Sequence, residues 1–402
     1  MDVAILTWLR GPEGTAILAE LAERGVDEAL ALPELERLRR VTTPERARAA
    51  FELSLLRRRA AAKFPQAERL YFTREALEQA SAAPVAAQRA QRLALWGLVA
   101  DLGCGIGGDA LALAAAGADV IAVDRDPLRL ALCQANAEVL GLAGQITTLE
   151  RDLLREDPPP AEALFCDPGR RAGGKRRFDP ASYEPPLSHL LAWRSRWPAL
   201  AAKLAPGIER TALPADAELE FVSLEGQLKE AALWSGPLAT TARRATLLQR
   251  IATGEHRSVT LSSVTASSPV VPITPPGTVL YEPDPAVIRA GLVTDLALLV
   301  GARQFDPQIA YLTADQWQPT PFARAWSVLE WLPFSLKALK ARLRHYETGT
   351  VTVKKRGSPL DSDALAKQLS GKGSRALVVV LSQVQGRPAV IICEQLRRDV
   401  VE

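Results

Sequence analysis

Three aspartates close three apolar runs in the middle of the chain: Asp101 in GLVADLG, Asp124 in VIAVDRD and Asp152 in TTLERDLL. Directly after the first come Gly103, Gly105, Gly107 and Gly108, between a strand-like and a helix-like segment. Glycines in such a turn let the backbone bend tightly and come close to a ligand. Gly103, Gly105 and Gly108 fit G-x-G-x-x-G, which raises a nicotinamide cofactor. The acids favour a different ligand. Asp101 is placed to face an ammonium group, for which a dinucleotide site has no use. Asp124 is placed to accept both hydroxyls of a ribose, and Asp152 to bond an adenine amine. A single acid would be read as a helix cap. Three, around one crevice and beside the glycines, match a cationic, adenosine-bearing ligand such as S-adenosylmethionine.

A fourth acid poses a separate question. LFCDPGRRAGGKRRFDP, residues 164–180, sets Asp167-Pro168 at the end of another apolar run. Such a pair is either an ordinary turn or a holder for a reactive nitrogen. Behind it stand Arg170, Arg171, Lys175, Arg176 and Arg177, five positive charges within eight residues. Beside an active crevice they would attract phosphates in a salt-dependent, sequence-independent way. On a surface loop without a partner they would do nothing of the kind.

The elements around these residues read as alternating strands and helices from residue 97 onward. GLVADLG, ADVIAVDRD, QITTLERDLL and EALFCDPG are expected strands, with helices at DALALAAAG and PLRLALCQANAEVLGL, which indicates βαβ units and a parallel sheet. GIERTAL and AELEFVSLE continue it, a helix is expected near 226–234, and RSVTLSSV is a last strand. Residues 13–92 carry apolar positions at helical spacing, with Thr43-Pro44 as a helix start. After the Pro-rich SSPVVPITPPG, the segment from YEPDPAVIR is helical beyond its prolines. WSVLEWLPFSLKALKARLRHYE reads as a helix, GTVTVKKRG as a strand, SDALAKQLSG as a helix, and the end as two strands about a Gln385-Gly386 turn.

At 402 residues the chain exceeds one ordinary core, and its 48% apolar and 24% charged residues are those of a globular protein. Residues 335–402 hold 13 Lys/Arg and 6 Asp/Glu, a net of +7, so the preceding 334 residues sum to −4 within the total of +3. Such asymmetry points to a polyanionic partner or to a solvated basic face. Cys104, Cys133, Cys166 and Cys393 are scattered, and so are three histidines, which argues against a zinc site or a disulfide framework. With no signal-peptide pattern and no membrane-length apolar run, a cytoplasmic protein is expected.

The combination C-G-x-G-G at 104–108, D-x-D-P at 124–127 and N-A-E-x-x-G at 136–141 resembles the class I S-adenosylmethionine-dependent methyltransferases, and within them the trimethylguanosine-synthase-like group. YFTREALEQASAAPVAAQRA, 71–90, is similar to the helical lead-in of that group, and TPFARAWSVLEWLPFSLKALKARL…GTVTVKKRGSPL to its C-terminal THUMP-like domain. The resemblance implies an α/β architecture. A Rossmann-like methyltransferase sheet spans 93–275, with an N-terminal helical region at 1–92. A connecting helical segment, 276–319, leads to a small α/β THUMP-like domain at 320–402.

It further implies that Asp101, Gly103, Gly105 and Gly107 form the methionine-side loop, that Asp124 holds the ribose, and that Asp152 and Arg125 lie near the adenine. The fourth strand of such a fold ends over the transferred methyl group, where amino-methyltransferases carry Asp, Asn or Ser followed by Pro-Pro-aromatic. An acceptor side chain and a backbone carbonyl there bond the N–H groups of an exocyclic amine. They draw it toward a tetrahedral, nucleophilic geometry in line with the methyl. Asp167-Pro168-Gly169-Arg170 keeps the acceptor and first proline and lacks the second proline and the aromatic. Arg170 is one replacement for the missing stacking surface; Phe178 or Tyr183 folding back is another, with plain loop packing as the alternative. THUMP-type domains bind RNA. The expectation is therefore a methyltransferase acting on an exocyclic base nitrogen in RNA, such as guanine N2, with no metal. An RNA-binding protein with little catalysis, or a nicotinamide-dependent dehydrogenase, are the competing readings.

Overall fold

The structure, a computed structural model of the whole chain, describes residues 1–169, 182–356 and 361–396, together with the backbone of 171–172 and 175–176. It comprises two compact units: Met1–Glu218 with Glu230–Thr240, and Leu219–Lys229 with Thr241–Glu402.

The first unit opens with helices α1 (Val3–Arg10), α2 (Pro12–Glu23), α3 (Ala31–Leu38), α4 (Pro44–Ala60), α5 (Arg74–Gln79) and α6 (Ala83–Leu93). Pro44 starts α4 as expected, and the Thr43 hydroxyl accepts the Arg46 N–H, replacing a hydrogen bond the first turn cannot make for itself. The sheet is then laid down as β1 (Leu98–Leu102), α7 (Gly108–Ala115), β2 (Asp119–Asp124), α8 (Pro127–Leu140), β3 (Ile146–Glu150) and β4 (Ala163–Cys166). Two-residue strands β5 (Arg171–Ala172) and β6 (Lys175–Arg176) pair with each other; α9 (Leu187–Trp193) and β7 (Leu200–Leu204) follow. The chain then forms β8 (Glu218–Leu224), which belongs to the second unit from Leu219 on, and β9 (Gln227–Trp234), which is back in the first unit from Glu230 and runs antiparallel to β7.

Within this unit the strands run β9-β7-β4-β1-β2-β3, parallel from β7 to β3. β4 and β7 are buried throughout, as apolar strands covered on both faces must be. The strand order reverses between β1 and β4, and the loops there diverge to leave a crevice at the carboxyl ends. Residues 226–234 were expected to be helical, because QLKEAALW is rich in helix formers. They form β9 instead: its last five residues are buried, and sheet pairing overrides an intrinsic preference worth only tenths of a kcal/mol per residue.

In the second unit, β10 (Arg243–Arg250) pairs parallel with β8 and antiparallel with β11 (His256–Ser263). Then come β12 (Val279–Pro283), α10 (Pro285–Arg289), α11 (Val293–Leu299), β13 (Arg303–Gln304), β14 (Leu312–Ala314), β15 (Ala323–Pro333), α12 (Leu336–His345), β16 (Thr348–Lys355), α13 (Ser362–Leu369), β17 (Arg375–Val384) and β18 (Arg387–Gln395). The last seven-stranded sheet is ordered β13-β14-β12-β15-β18-β17-β16. Leu339, Leu343, Leu365 and Leu369 of α12 and α13 pack on one face of it, against Leu377, Val379 and Ile392. Gln385 and Gly386 both hold positive φ, the tight hairpin turn expected there. WSVLEWLP is a strand rather than the start of a helix: Trp and Val suit a pleated surface, and the helix begins only at Leu336, after Pro333 and the Ser335 cap. GIERTAL forms a single 3-10 turn over Arg210–Ala212 instead of a strand. Among the described residues no helix is long and apolar enough to cross a membrane.

Candidate functional site

The carboxyl ends of β1, β2 and β4 and the turn after β3 open onto one cleft of about 340 Å³, within the range of small-molecule sites. Asp101, Gly103, Gly105, Asp124, Arg125, Asp152, Asp167 and Pro168 all line it, together with Glu75 and Gln79 of α5 and Ser81 just beyond it.

The turn after β1 is held by two bonds, the Gly103 and Cys104 N–H groups both donating to the Val123 carbonyl of β2 at 2.8 and 2.9 Å. Gly103, Gly105 and Gly107 hold φ of +82°, +58° and +88°, a region that disfavours side chains. Their surroundings differ. A Cβ on Gly105 would meet nothing within 4 Å, whereas one on Gly107 would lie 2.7 Å from the Cys133 sulfur. Gly107 is thus required for packing α7 against α8; Gly108 lines the cleft and Gly107 does not.

Asp124, at the end of β2, is 4% exposed, and each carboxylate oxygen already accepts one backbone N–H: Gly105 at 3.1 Å and Asp126 at 3.0 Å. The carboxylate is therefore fixed, with lone pairs left over for a pair of hydroxyls. Asp152 stands two residues beyond β3 and accepts the Leu154 N–H at 3.1 Å within its own turn. Arg125 is exposed, 3.1 Å from Glu184 across the cleft mouth.

The charges at the inner end balance in a specific way. Arg89 on α6 is buried and bonds Asp109, Glu230 and, at 2.9 Å, the Ser81 hydroxyl. Burial pulls its guanidinium down, but Asp109 and Glu230 more than offset that and hold it above its ordinary value. Lys203 on β7, nearly buried, lies 2.5 Å from Asp167 and donates to the same Ser81 oxygen at 3.0 Å. Asp109 and Asp167 are therefore each matched by a cation. Asp101 is not: it is 1% exposed, and its Oδ2 is buried without a hydrogen-bond partner. Burial, and then the fields of Asp109, Cys133 and Asp167, push its carboxyl well above the usual range, with Arg89 acting against them. A buried acid lacking a cation fits a ligand that brings one. Cys104 and Cys166 do not offer nucleophiles. Cys104 is pushed up first by its bond to Cys133 and then by burial, and Cys166 by burial and Asp167.

The lead-in segment braces the cleft from outside the sheet. Asn136 of α8, buried, accepts the Tyr71 N–H at 2.7 Å and donates to the Tyr71 and Ile106 carbonyls at 3.1 Å each. One side chain thus ties the entry to α5 to the glycine turn. Tyr183 is 1% exposed and its hydroxyl accepts the Ala205 N–H, so it is buried packing and not a stacking platform. Arg170, Arg177 and Phe178, and the side chains of Arg171, Lys175 and Arg176, lie outside the described residues.

Comparison with known proteins bears on this arrangement. A methyltransferase-domain family model matches residues 99–166, a THUMP domain-like model residues 323–395, and a model of a domain of unknown function (DUF8688) residues 2–60. Over 349 residues the chain is 38% identical to an uncharacterized S-adenosylmethionine-dependent methyltransferase of Mycobacterium tuberculosis, in strains CDC 1551 / Oshkosh and H37Rv alike. That match spans 83% of this chain and 92% of the relative. The chain belongs to this methyltransferase family. The methyltransferase also shares its fold with a crystal structure assigned as a methyltransferase from Porphyromonas gingivalis W83. The TM-score is 0.71 at 20% identity, over 92% of this chain and all of that one. Family membership sets aside the nicotinamide reading of the glycines. In this methyltransferase, sequence reasoning found the strand-end acids and overlooked Ser81, Arg89 and Lys203. The signal for Lys203 was a lone cation inside the apolar run LAAKLA, since a charge in a buried strand requires a partner.

Proposed function

We propose that this methyltransferase uses S-adenosylmethionine to methylate an exocyclic base nitrogen in RNA, such as guanine N2, as a member of the trimethylguanosine-synthase-like group. The observation that carries the reading is the buried, cation-less Asp101 beside an open glycine turn, with Asp124 and Asp152 on the same cleft. S-adenosylmethionine, when bound, supplies an electrophilic sulfonium methyl. Asp101, Gly103 and Gly105 hold its methionine end, with Gly107 keeping their turn in place. Asp124 takes the ribose hydroxyls; Asp152 and Arg125 flank the adenine. Lys203 holds one oxygen of Asp167 and so fixes the carboxylate's orientation. The other oxygen and the Pro168 carbonyl accept the N–H groups of the amine and aim its lone pair. The THUMP-like match and the basic C-terminal residues support RNA as the substrate class.

One observation favours a second reading, an RNA-binding protein with this fold and little turnover. Lys203 already engages Asp167, and Gly169-Arg170 stand where a second proline and an aromatic would be. Methyl transfer separates the two. With tritium-labelled S-adenosylmethionine and cellular RNA, the first reading predicts label in RNA, reduced at least 100-fold in Asp167→Ala. RNA affinity without label in the wild type would favour the second, and label confined to protein or small molecules would reject RNA as the substrate.

A further inference from the structure

The second unit carries a groove of about 1430 Å³, too large for a typical small-molecule site. Its walls are the β8–β9 turn, the β10–β11 hairpin, the loop between β14 and β15, and residues of β12, β15, β16 and β17. Three arginines, Arg250, Arg257 and Arg324, line it, and among the described residues none of them forms an ion pair within 4.0 Å. Arg324 acts on Asp284 only through its field. The acids of the groove are otherwise occupied. Glu282 bonds Lys354 at 2.6 Å, Asp284 caps α10 by accepting the Ala286 N–H at 2.8 Å, and Glu225 lies 3.3 Å from His256. The cations left over therefore face an open trough with no internal counter-charge of their own.

Aromatic surface accompanies them. Trp317 is 36% exposed on the loop between β14 and β15. That loop is fastened on two sides. The Tyr281 hydroxyl accepts the Gln318 N–H at 2.7 Å and donates to the Gln318 carbonyl at 3.1 Å, while the Gln249 amide donates to the Pro321 carbonyl at 3.1 Å. Farther in, Trp326 is half-buried with the Lys354 ammonium 4.9 Å from its ring centre. Unpaired arginines beside a pinned, exposed indole are what a single strand of nucleic acid uses: phosphates meet the cations and a splayed base stacks on the ring. A duplex keeps its bases stacked inside and has no use for the tryptophan. An acidic peptide would use the arginines alone.

We propose that this groove binds a single-stranded segment of the RNA substrate, with Arg250, Arg257 and Arg324 on its phosphates and Trp317 stacked on a base. The proposal rests on RNA as the substrate class and adds where, and in which form, the RNA is held. Three of these four contacts, Arg250, Arg257 and Trp317, lie outside the 323–395 THUMP domain-like match.

The test is fluorescence anisotropy on the full chain with a labelled 12-nucleotide single-stranded RNA, the same sequence as a duplex, and poly-glutamate as competitor. The wild type should bind the single strand at least ten-fold more tightly than the duplex. The triple variant Arg250→Ala/Arg257→Ala/Arg324→Ala should weaken single-strand binding at least ten-fold. Its slope of log affinity against log salt should be shallower by about 2, three phosphates at roughly 0.7 each. Trp317→Ala should cost about 5- to 100-fold with the slope unchanged. Thermal stabilisation by S-adenosylhomocysteine, kept at the wild-type level, shows that each variant is folded and its other unit intact. Wild-type affinity and slope in the triple variant would overturn the groove while leaving the RNA reading standing. Equal displacement by poly-glutamate at matched charge would replace RNA with an acidic protein partner. No binding of any RNA by the wild type would overturn both.

Discussion

A carboxyl sealed from water with one oxygen unbonded is costly to ionise, and Asp101 is in that position. Because its carboxyl is raised in the folded protein, the folded state keeps a proton that the unfolded chain has lost. Without ligand, Asp101 therefore stabilises the fold relative to its ionised form at low pH. That contribution is lost as pH rises from the ordinary carboxylate value through the raised one. A ligand carrying an ammonium and a sulfonium reverses the preference, so binding S-adenosylmethionine expels the proton and affinity rises with pH across that window. Calorimetry in buffers of different ionisation enthalpy should register proton release approaching one per site, abolished in Asp101→Asn together with most of the pH dependence. Proton uptake, or affinity independent of pH in the wild type, would remove Asp101 from the ligand site. Asp167 is a different kind of acid, since Lys203 already matches its charge; its task in the proposed reaction is orientation.

At the level of elements, the glycine turn has two jobs that one motif conceals. Gly105 faces open space and Gly107 faces the Cys133 sulfur. Gly107→Ala should cost about 2–4 kcal/mol, from the left-handed backbone and the clash together. Cys133→Ala in the same chain should return part of that loss, and chemical denaturation of the single and double variants measures it. A stable Gly107→Ala protein would show that α7 and α8 can part without penalty. The strand-end acids and the four parallel strands were legible in the sequence because each acid terminates a short apolar run beside a turn. The roles of Lys203 and Ser81 were not, for Lys203 meets Asp167 and Ser81 only through the fold, 36 and 122 residues away along the chain. Arg89 is, in sequence, one more arginine of a helical segment; its burial depends on Asp109 and Glu230, the latter 141 residues away. β9 and β15 were misread for a related reason. Their local composition is equivocal, and pairing with distant strands decides their conformation.

Across the whole molecule, a methyltransferase sheet and a basic α/β unit occur in one chain, and the proposals assign them separate tasks. The first supplies the donor site and a carboxylate to orient an amine; the second supplies cations and a tryptophan for the strand that carries the base. The N-terminal segment contributes to the first task through the Tyr71 contact with Asn136 and through the Ser81 hydroxyl. The most direct test is nucleoside mass spectrometry on total RNA from cells with and without the gene. One nucleoside methylated on an exocyclic nitrogen should disappear in its absence, return with the wild-type gene, and not return with Asp167→Ala. An unchanged set of methylated nucleosides, or the loss of one methylated only on carbon or on the ribose, would contradict it.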